Sequence, residues 1–345
     1  MKNQETLLSL LRIAHVIQIG KSRIGSMAAC YDKFQQPHNM ARVTLPIACA
    51  INGDYALPLL VMLTSLQEHL RPSHQLLLYL VHQGVSEEVL ASISRLVEIH
   101  SIVPTPDSVA ALPRHPRFPP EAAYPLLLPD LLPKTLDRIL FLDADLLVLD
   151  DLAELWETSL GERALGAAPD AAIPLCRSPR GVKKRETLGI SENAVYFNCG
   201  VMLISLDAWR RGEITRRACG YLKSVGRHVD FLHQEALNAI LWNDWLPLDS
   251  RWNLLGSLAG RPYGQPESRN WKNPGIVHFA GRFKPWRAPV GGPFDRPYCA
   301  FLSRARQLVP AIKPTLREKL LSLYDLHFRN SLYCCERALW NRRLL

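Results

Sequence analysis

An α/β fold, with a mostly parallel sheet flanked by helices, is what these 345 residues predict, and two patterns carry the prediction. From Leu45 onward, short apolar runs alternate with stretches of helical periodicity, as expected for strands buried between helical layers. One such run, RILFL at 138–142, ends abruptly in Asp143 and Asp145, and open parallel sheets present their ligand-binding groups at that end of a strand. The length suits one large domain or two ordinary ones, and a hydrophobic content of 48% is ample for a buried core.

The elements follow in order. LPIACAI at 45–51 reads as a buried strand, and the stretch after Asp54 with Leu57, Leu60, Val61, Leu63 and Leu66 as a helix. QLLLYLV at 75–81 is the next strand, and Ser86 followed by two glutamates opens the next helix. HSIV gives a third short strand, Tyr124–Leu132 a helix, and RILFL a fourth strand. VYFNCGVMLISL at 195–206 is strand-like, with Asn198 and Gly200 interrupting its apolar pattern. Ala208–Val225 reads as one helix and Phe231–Trp242 as another, the latter carrying His233, Gln234, Glu235 and Asn238. GIVHFAG at 275–281 is a late strand, and from Pro310 Leu alternates with Arg and Lys at helical spacing. The expected organisation is an N-terminal extension over 1–44, a catalytic domain over 45–290 and a basic helical C-terminal segment over 291–345.

Charge is concentrated at the ends. Residues 1–44 carry six Lys/Arg against two Asp/Glu and residues 295–345 ten against four, which leaves 25 against 26 in between. A nucleic-acid enzyme concentrates its basic surface near the active site, so no nucleic-acid partner is expected. Basic, partly amphipathic ends instead suit peripheral contact with an anionic membrane surface. No run of eighteen uncharged apolar residues predicts a spanning helix, and the N-terminus lacks the apolar region of a signal peptide. The expected location is therefore the cytoplasm, peripherally on the inner face of the cytoplasmic membrane. Eight cysteines without a CxxC pair predict reduced, structural thiols rather than a zinc site or a disulfide framework.

Two constellations could do chemistry. Carboxylates one residue apart on a turn, Asp143 and Asp145, can give a hard divalent cation oxygen ligands and leave room for phosphate oxygens. An isolated Asp-x-Asp is more often a pair of turn-capping residues. It also occurs in haloacid-dehalogenase-type phosphatases, but those carry it near the start of their domain with a different following residue. The second constellation is HFAGRFKPW at 278–286. His278 at a strand end can add a nitrogen ligand, Gly281 lets backbone approach a phosphate, and Lys284 offers a point charge beside Pro285 and Trp286.

With these parts in order, the chain resembles glycosyltransferase family 8 from about Leu45 to Trp286. The matching stretches are Asp54-Tyr55-Ala56, ILFLDADLLVLDDLAELW, YFNCGVMLISLDAWR, HQEALN and HxxGxxKPW. The resemblance implies the GT-A fold, which is Rossmann-like with a mixed, mostly parallel sheet. It further implies UDP-sugar donors, manganese with magnesium as the alternative, and transfer with retention. Carried over, Asp143, Asp145 and His278 are expected metal ligands. Ala50, Asn52, Tyr55, Ala144, Asn198, Gly200, Gly281, Lys284 and Trp286 are expected at the donor, and Asp170, Gln234 and His233 at the reacting face.

Three departures stand out. Asn52 replaces the usual uracil-reading Asp; an amide oxygen still accepts a hydrogen bond. Tyr124-Pro125-Leu126 replaces a Tyr-x-Arg whose Arg reaches the donor, with Arg177, Arg180, Lys183 and Lys184 available as substitutes. His233 stands where a carboxylate would bind sugar hydroxyls. The expected activity is retaining transfer of glucose or galactose from a UDP-hexose to a saccharide or lipid-linked glycan, in lipopolysaccharide or other surface glycan assembly. The alternative is a catalytically degenerate sugar-nucleotide-binding or scaffold protein of the same fold.

Overall fold

The computed structural model describes residues 42–256, 273–281, 284–287 and 292–309. In chain order the strands are β1 (Val43–Asn52), β2 (His74–Gln83), β3 (Glu98–Ile102), β4 (Arg138–Leu142), β5 (Leu146–Val148), β6 (Leu165–Pro169), β7 (Phe197–Ser205), β8 (Leu246–Pro247), β9 (Leu254–Leu255) and β10 (Ile276–His278). The α-helices are α1 (Ala56–His69), α2 (Glu87–Ser94), α3 (Pro106–Val109), α4 (Leu128–Leu131), α5 (Ala153–Glu157), α6 (Leu206–Arg211), α7 (Ile214–Val225), α8 (Leu232–Leu241) and α9 (Asp295–Leu308).

Seven strands form one sheet in the order β3-β2-β1-β4-β7-β6-β8. Neighbours from β3 to β4 are parallel, and β7 runs antiparallel to both β4 and β6. This is the mixed, mostly parallel sheet flanked by helices that the apolar runs predict. Alternation along β1 explains why those runs are continuous. Leu45, Ile47 and Cys49 pack with α1 on one face while Ala48 packs on the opposite face, so neither face is left to water. A smaller sheet, β5-β10-β9, lies alongside.

Ser86 caps α2 by accepting from the Val89 amide at 3.4 Å, as its position before two glutamates predicts. The Tyr124–Leu132 stretch is a 3-10 helix over Pro120–Leu127 continued by α4, because Pro125 and Pro129 remove amide donors that a regular helix would use. The single helix expected over Ala208–Val225 is two, α6 and α7. Glu213, with φ of 50°, turns the chain between them, and Trp209 Nε1 donates to Thr215 Oγ1 at 3.0 Å across the break. Strands β5, β6, β8 and β9 are additional to those read from the sequence, and three of them span only two or three residues.

Helix α9 presents Tyr298, Phe301, Leu302 and Ala305 to the same core as α1. No helix among the described residues is long and apolar enough to cross a membrane. Among the described cysteines, Cys49, Cys176, Cys199 and Cys219 are buried, unbridged thiols. The predicted N-terminal helix, the basic helical tail from Pro310, and Cys30, Cys334 and Cys335 lie outside the described residues.

Candidate metal and nucleotide-sugar site

The ladder between β4 and β7 extends one residue beyond Leu142, where the Asp143 amide donates to the Gly200 carbonyl at 2.8 Å. Two residues on, β5 pairs antiparallel with β10 so that Leu146 faces His278, and the Phe279 amide donates to the Asp145 carbonyl at 3.0 Å. Backbone pairing alone thus brings residues 143, 145 and 278 together. One ligand atom from each lies within 4.8 Å of the others. His278 Nε2 is 3.3 Å from Asp145 Oδ1 and 3.6 Å from Asp143 Oδ2. Asp145 and His278 are buried, and the Asp143 side chain is 33% exposed, so the cluster opens toward solvent on the Asp143 side.

Lys284 donates to Asp145 Oδ2 and to the Phe279 carbonyl, the latter at 3.0 Å. It arrives on a turn closed by the Arg287 amide to the Lys284 carbonyl at 3.0 Å, just after Gly281, whose φ of 90° favours glycine. The Lys284 ammonium lies 5.4 Å from the Trp286 ring centroid and 5.9 Å from that of Tyr55. Tyr55 and Trp286 meet edge-on at 5.7 Å, and Tyr298 from α9 stacks behind Trp286 at 6.2 Å.

Electrostatics divide the two carboxylates. Burial, and then the Asp145 charge, push Asp143 up. Burial acts upward on Asp145 too, but Lys284 and His278 outweigh it and hold Asp145 below the ordinary carboxylate range. Burial would lower His278 and Lys284; the Asp145 carboxylate overrides that and raises both.

The donor set fits a hard divalent cation, with two carboxylates and one imidazole converging and outer partners fixing their orientation. A cradle is also visible at Gly200. A Cβ built there would lie 2.2 Å from His278 Cε1 and 3.0 Å from Asp143 Oδ2, so glycine is required for the close approach.

Behind the cluster runs a continuous chain of buried side-chain amides. His278 Nδ1 donates to Asn253 Oδ1 at 2.9 Å, which leaves Nε2 to face the carboxylates. Asn253 Nδ2 donates to Asn198 Oδ1 at 2.9 Å, the Gly200 amide donates to the same oxygen at 2.9 Å, and Asn198 Nδ2 donates to Asp170 Oδ2 at 2.8 Å. Asp170 accepts two further bonds, from the Ala172 and Ile173 amides, on Oδ1. Gln234 Nε2 gives Oδ2 its second bond at 3.1 Å, while Gln234 Oε1 accepts from the Cys199 amide at 3.0 Å. Asn253 has no signal of its own in the sequence beyond a polar residue between Trp252 and Leu254. Replacing it with Leu is expected to weaken metal binding by about 10- to 100-fold, as loss of a ligand-orienting partner does, measured by manganese titration of the folded variant.

The remaining sequence-predicted residues fall as follows. Ala50 and Asn52 lie at the carboxyl end of β1, where Asn52 Oδ1 accepts from the Asp54 amide at 3.1 Å. Ala144 is buried in the core. Tyr124 is buried, and its hydroxyl donates to Gln83 Oε1 at 2.8 Å. Of the substitute cations, Arg177 donates to the Glu192 carbonyl, Lys183 pairs with Asp230 at 2.6 Å and Lys184 donates to the Ser224 carbonyl at 2.6 Å.

His233 Nδ1 donates to the Ala122 carbonyl at 2.6 Å, and its Nε2 is buried without a partner. Burial lowers this histidine to about 4. Because the folded value lies below the unfolded one of about 6.5, the neutral ring contributes full stability above about pH 6.5. That contribution is lost as pH falls from there to about 4 and amounts to about 3 kcal/mol at most. Denaturant melts of the native chain and His233→Asn, compared across that window, should show the difference shrinking with falling pH.

A Rossmann-like sheet with a strand ending at an Asp-x-Asp completed by a histidine places the chain in the GT-A class of transferase. The profile of Glycosyl transferase family 8 matches residues 46–289, and the chain belongs to that family. It is 27% identical over 280 residues to General stress protein A of Bacillus subtilis (strain 168), covering 74% of this chain and 92% of that protein. Probable galacturonosyltransferase-like 6 of Arabidopsis thaliana is 29% identical over 172 residues, covering 46% of this chain and 48% of its own length. The fold is also that of galactosyltransferase LgtC, with a TM-score of 0.64 at 24% identity over 75% of this chain and 96% of that one. The family implies a nucleotide-sugar donor and a saccharide acceptor, and the Asp-Asp-His group a divalent metal.

Proposed function

We propose that the chain is a retaining hexosyltransferase that moves glucose or galactose from a UDP-sugar to a saccharide or lipid-linked glycan, with manganese as its metal. Lipopolysaccharide or another surface glycan is the proposed product. The observation that carries this reading is the convergence of Asp143, Asp145 and His278 with Lys284 poised on Asp145. When bound, the metal would neutralise charge that develops on the leaving diphosphate.

Lys284 adds a preorganised cation beside that diphosphate, where its contribution grows as the leaving group gains charge. Tyr55 and Trp286 flank the ammonium and limit access of water to it. Gly200, which lies against His278 and Asp143, and Asn198, which accepts from the Gly200 amide, are the residues proposed to face the donor sugar. Gln234 and Asp170 spend their polar atoms on each other, on Asn198 and on backbone amides. That bonding supports same-face substitution, in which a departing phosphate oxygen takes the acceptor's proton, over attack by a protein nucleophile.

Calorimetry with UDP and manganese beside a UDP-sugar hydrolysis assay tests the reading. Tight UDP binding with turnover is expected. Tight binding with no turnover of any UDP-hexose would identify a scaffold of the same fold. A peripheral site on the anionic inner face of the cytoplasmic membrane, docked through Arg304, Arg306, Lys313, Arg317, Lys319, Arg329, Arg337, Arg342 and Arg343, belongs to the same proposal. Liposome co-sedimentation that survives deletion of residues 310–345 would count against that docking.

A further inference from the structure

Three segments meet around the amino end of α8, and Glu235, which is fully buried, fastens two of them. Its Oε1 accepts from the Lys183 amide at 3.1 Å and from the Tyr221 hydroxyl at 2.6 Å, and its Oε2 accepts from the Asp230 amide at 2.9 Å. The third segment is tied by Arg117, which donates to the Val229 carbonyl, and by His115 Nε2, 3.3 Å from the Arg227 carbonyl. Arg117, Arg180, Lys183 and Lys184 are thereby gathered at one rim. The carboxylate answering them there is Asp230, 2.6 Å from Lys183 and 3.9 Å from Arg117. Glu186 and Glu192 are engaged by Arg185 instead.

Arg180 differs from its neighbours. Its guanidinium lies 4.4 Å from the Phe231 ring centroid, and among the described residues it makes no ion pair or hydrogen bond. Stacking on an aromatic face holds the plane of the guanidinium while leaving its N–H fork free, and that fork matches phosphate or carboxylate oxygens. Phe231 is the residue that precedes α8, the helix carrying His233 and Gln234, so Arg180 lies at the amino end of that helix.

We propose that this rim selects an anionic acceptor, a glycan with a phosphate or carboxylate close to the hydroxyl that receives the sugar, and that Arg180 is its principal contact. The proposal rests on the transferase reading only in placing the acceptor near Gln234. It makes net charge, rather than sugar shape alone, the basis of acceptor choice.

The test uses the full chain saturated with UDP and manganese, titrated with glucose 6-phosphate, methyl glucoside and inorganic phosphate. Glucose 6-phosphate should bind at least about tenfold tighter than methyl glucoside, as a charge-assisted fork predicts. Arg180→Ala should remove most of that preference and Arg180→Lys should keep part of it. Equal affinity for the two sugars, or an undiminished preference in Arg180→Ala, would overturn the proposal. So would inorganic phosphate binding as tightly as the sugar phosphate, which would describe an anion site without acceptor character. A variant that weakens binding to phosphatidylglycerol vesicles, or raises only the UDP-hexose KM, while leaving glucose 6-phosphate binding intact, would assign Arg180 to a membrane or to the donor and also overturn it. Acceptor-free UDP-hexose hydrolysis by the native chain reports on the transferase reading separately, since sugar-phosphate preference is measured by binding alone.

Discussion

Asp145→Ala is expected to lower metal-supported turnover of the sugar donor by about 100- to 1,000-fold or more, the scale on which loss of one preorganised charge-stabilising group acts. The substitution strikes three interactions at once. It removes a ligand atom 3.3 Å from His278 Nε2, it releases Lys284, and it deletes the negative charge that raises both partners. The Asp145 backbone, which accepts from the Phe279 amide, is untouched, so β5 and β10 should remain paired. A far-ultraviolet circular dichroism spectrum like that of the native chain, with donor hydrolysis lost, is the expected combination. Undiminished hydrolysis in chelator-treated buffer would sink the metal assignment.

Gly200→Ala should be comparably damaging although it changes no functional group. The new methyl would sit 2.2 Å from His278 Cε1 and 2.6 Å from Nδ1, and His278 cannot swing aside without losing Asn253. Either β7 or the imidazole must shift, which by overpacking costs about 1–3 kcal/mol of stability. A displaced imidazole should in addition weaken manganese binding by about 100-fold or more, as misplacing a ligand exceeds the loss of its outer partner. Gly220→Ala in α7 is the control. A Cβ there meets nothing within 4 Å, and removing a helical glycine is expected to stabilise by about 0.5–1 kcal/mol. Thermal melts and manganese titrations of both variants would separate a local clash at Gly200 from a general intolerance of added methyl groups.

These two residues also show what the sequence makes legible. Asp143 and Asp145 announce themselves because a buried apolar strand stops at them, and β1, β2, β4 and β7 are legible because their apolar runs exceed what a loop tolerates. Gly200 is visible as an interruption in such a run, but its reason, the His278 ring against its Cα, requires residues 78 positions apart to meet. Asn253 is harder still, because its role is set wholly by Asn198 and His278 and no local pattern encodes it. The break between α6 and α7 has the opposite cause. Helical periodicity runs through Gly212 and Glu213 unchanged, and only the left-handed turn at Glu213 redirects the chain. Strands β8 and β9, two residues each, exist because neighbours offer pairing rather than because of any β-forming run.

His233 and Leu126 mark the limit of reading by resemblance. Leu126, at the Arg position of the family's Tyr-x-Arg, is buried in the 3-10 helix, and His233 is anchored to the Ala122 carbonyl of the same segment. The two departures are therefore neighbours in space. Donor choice is the property they are expected to alter, and metal dependence the property they are not.

The most direct test of the central claim is UDP release from a panel of UDP-sugars, measured with manganese and again with excess chelator. Release from a hexose donor that stops on chelation and resumes on adding manganese is the predicted result. Release unaffected by chelation, or none from any donor despite tight UDP binding, would contradict it.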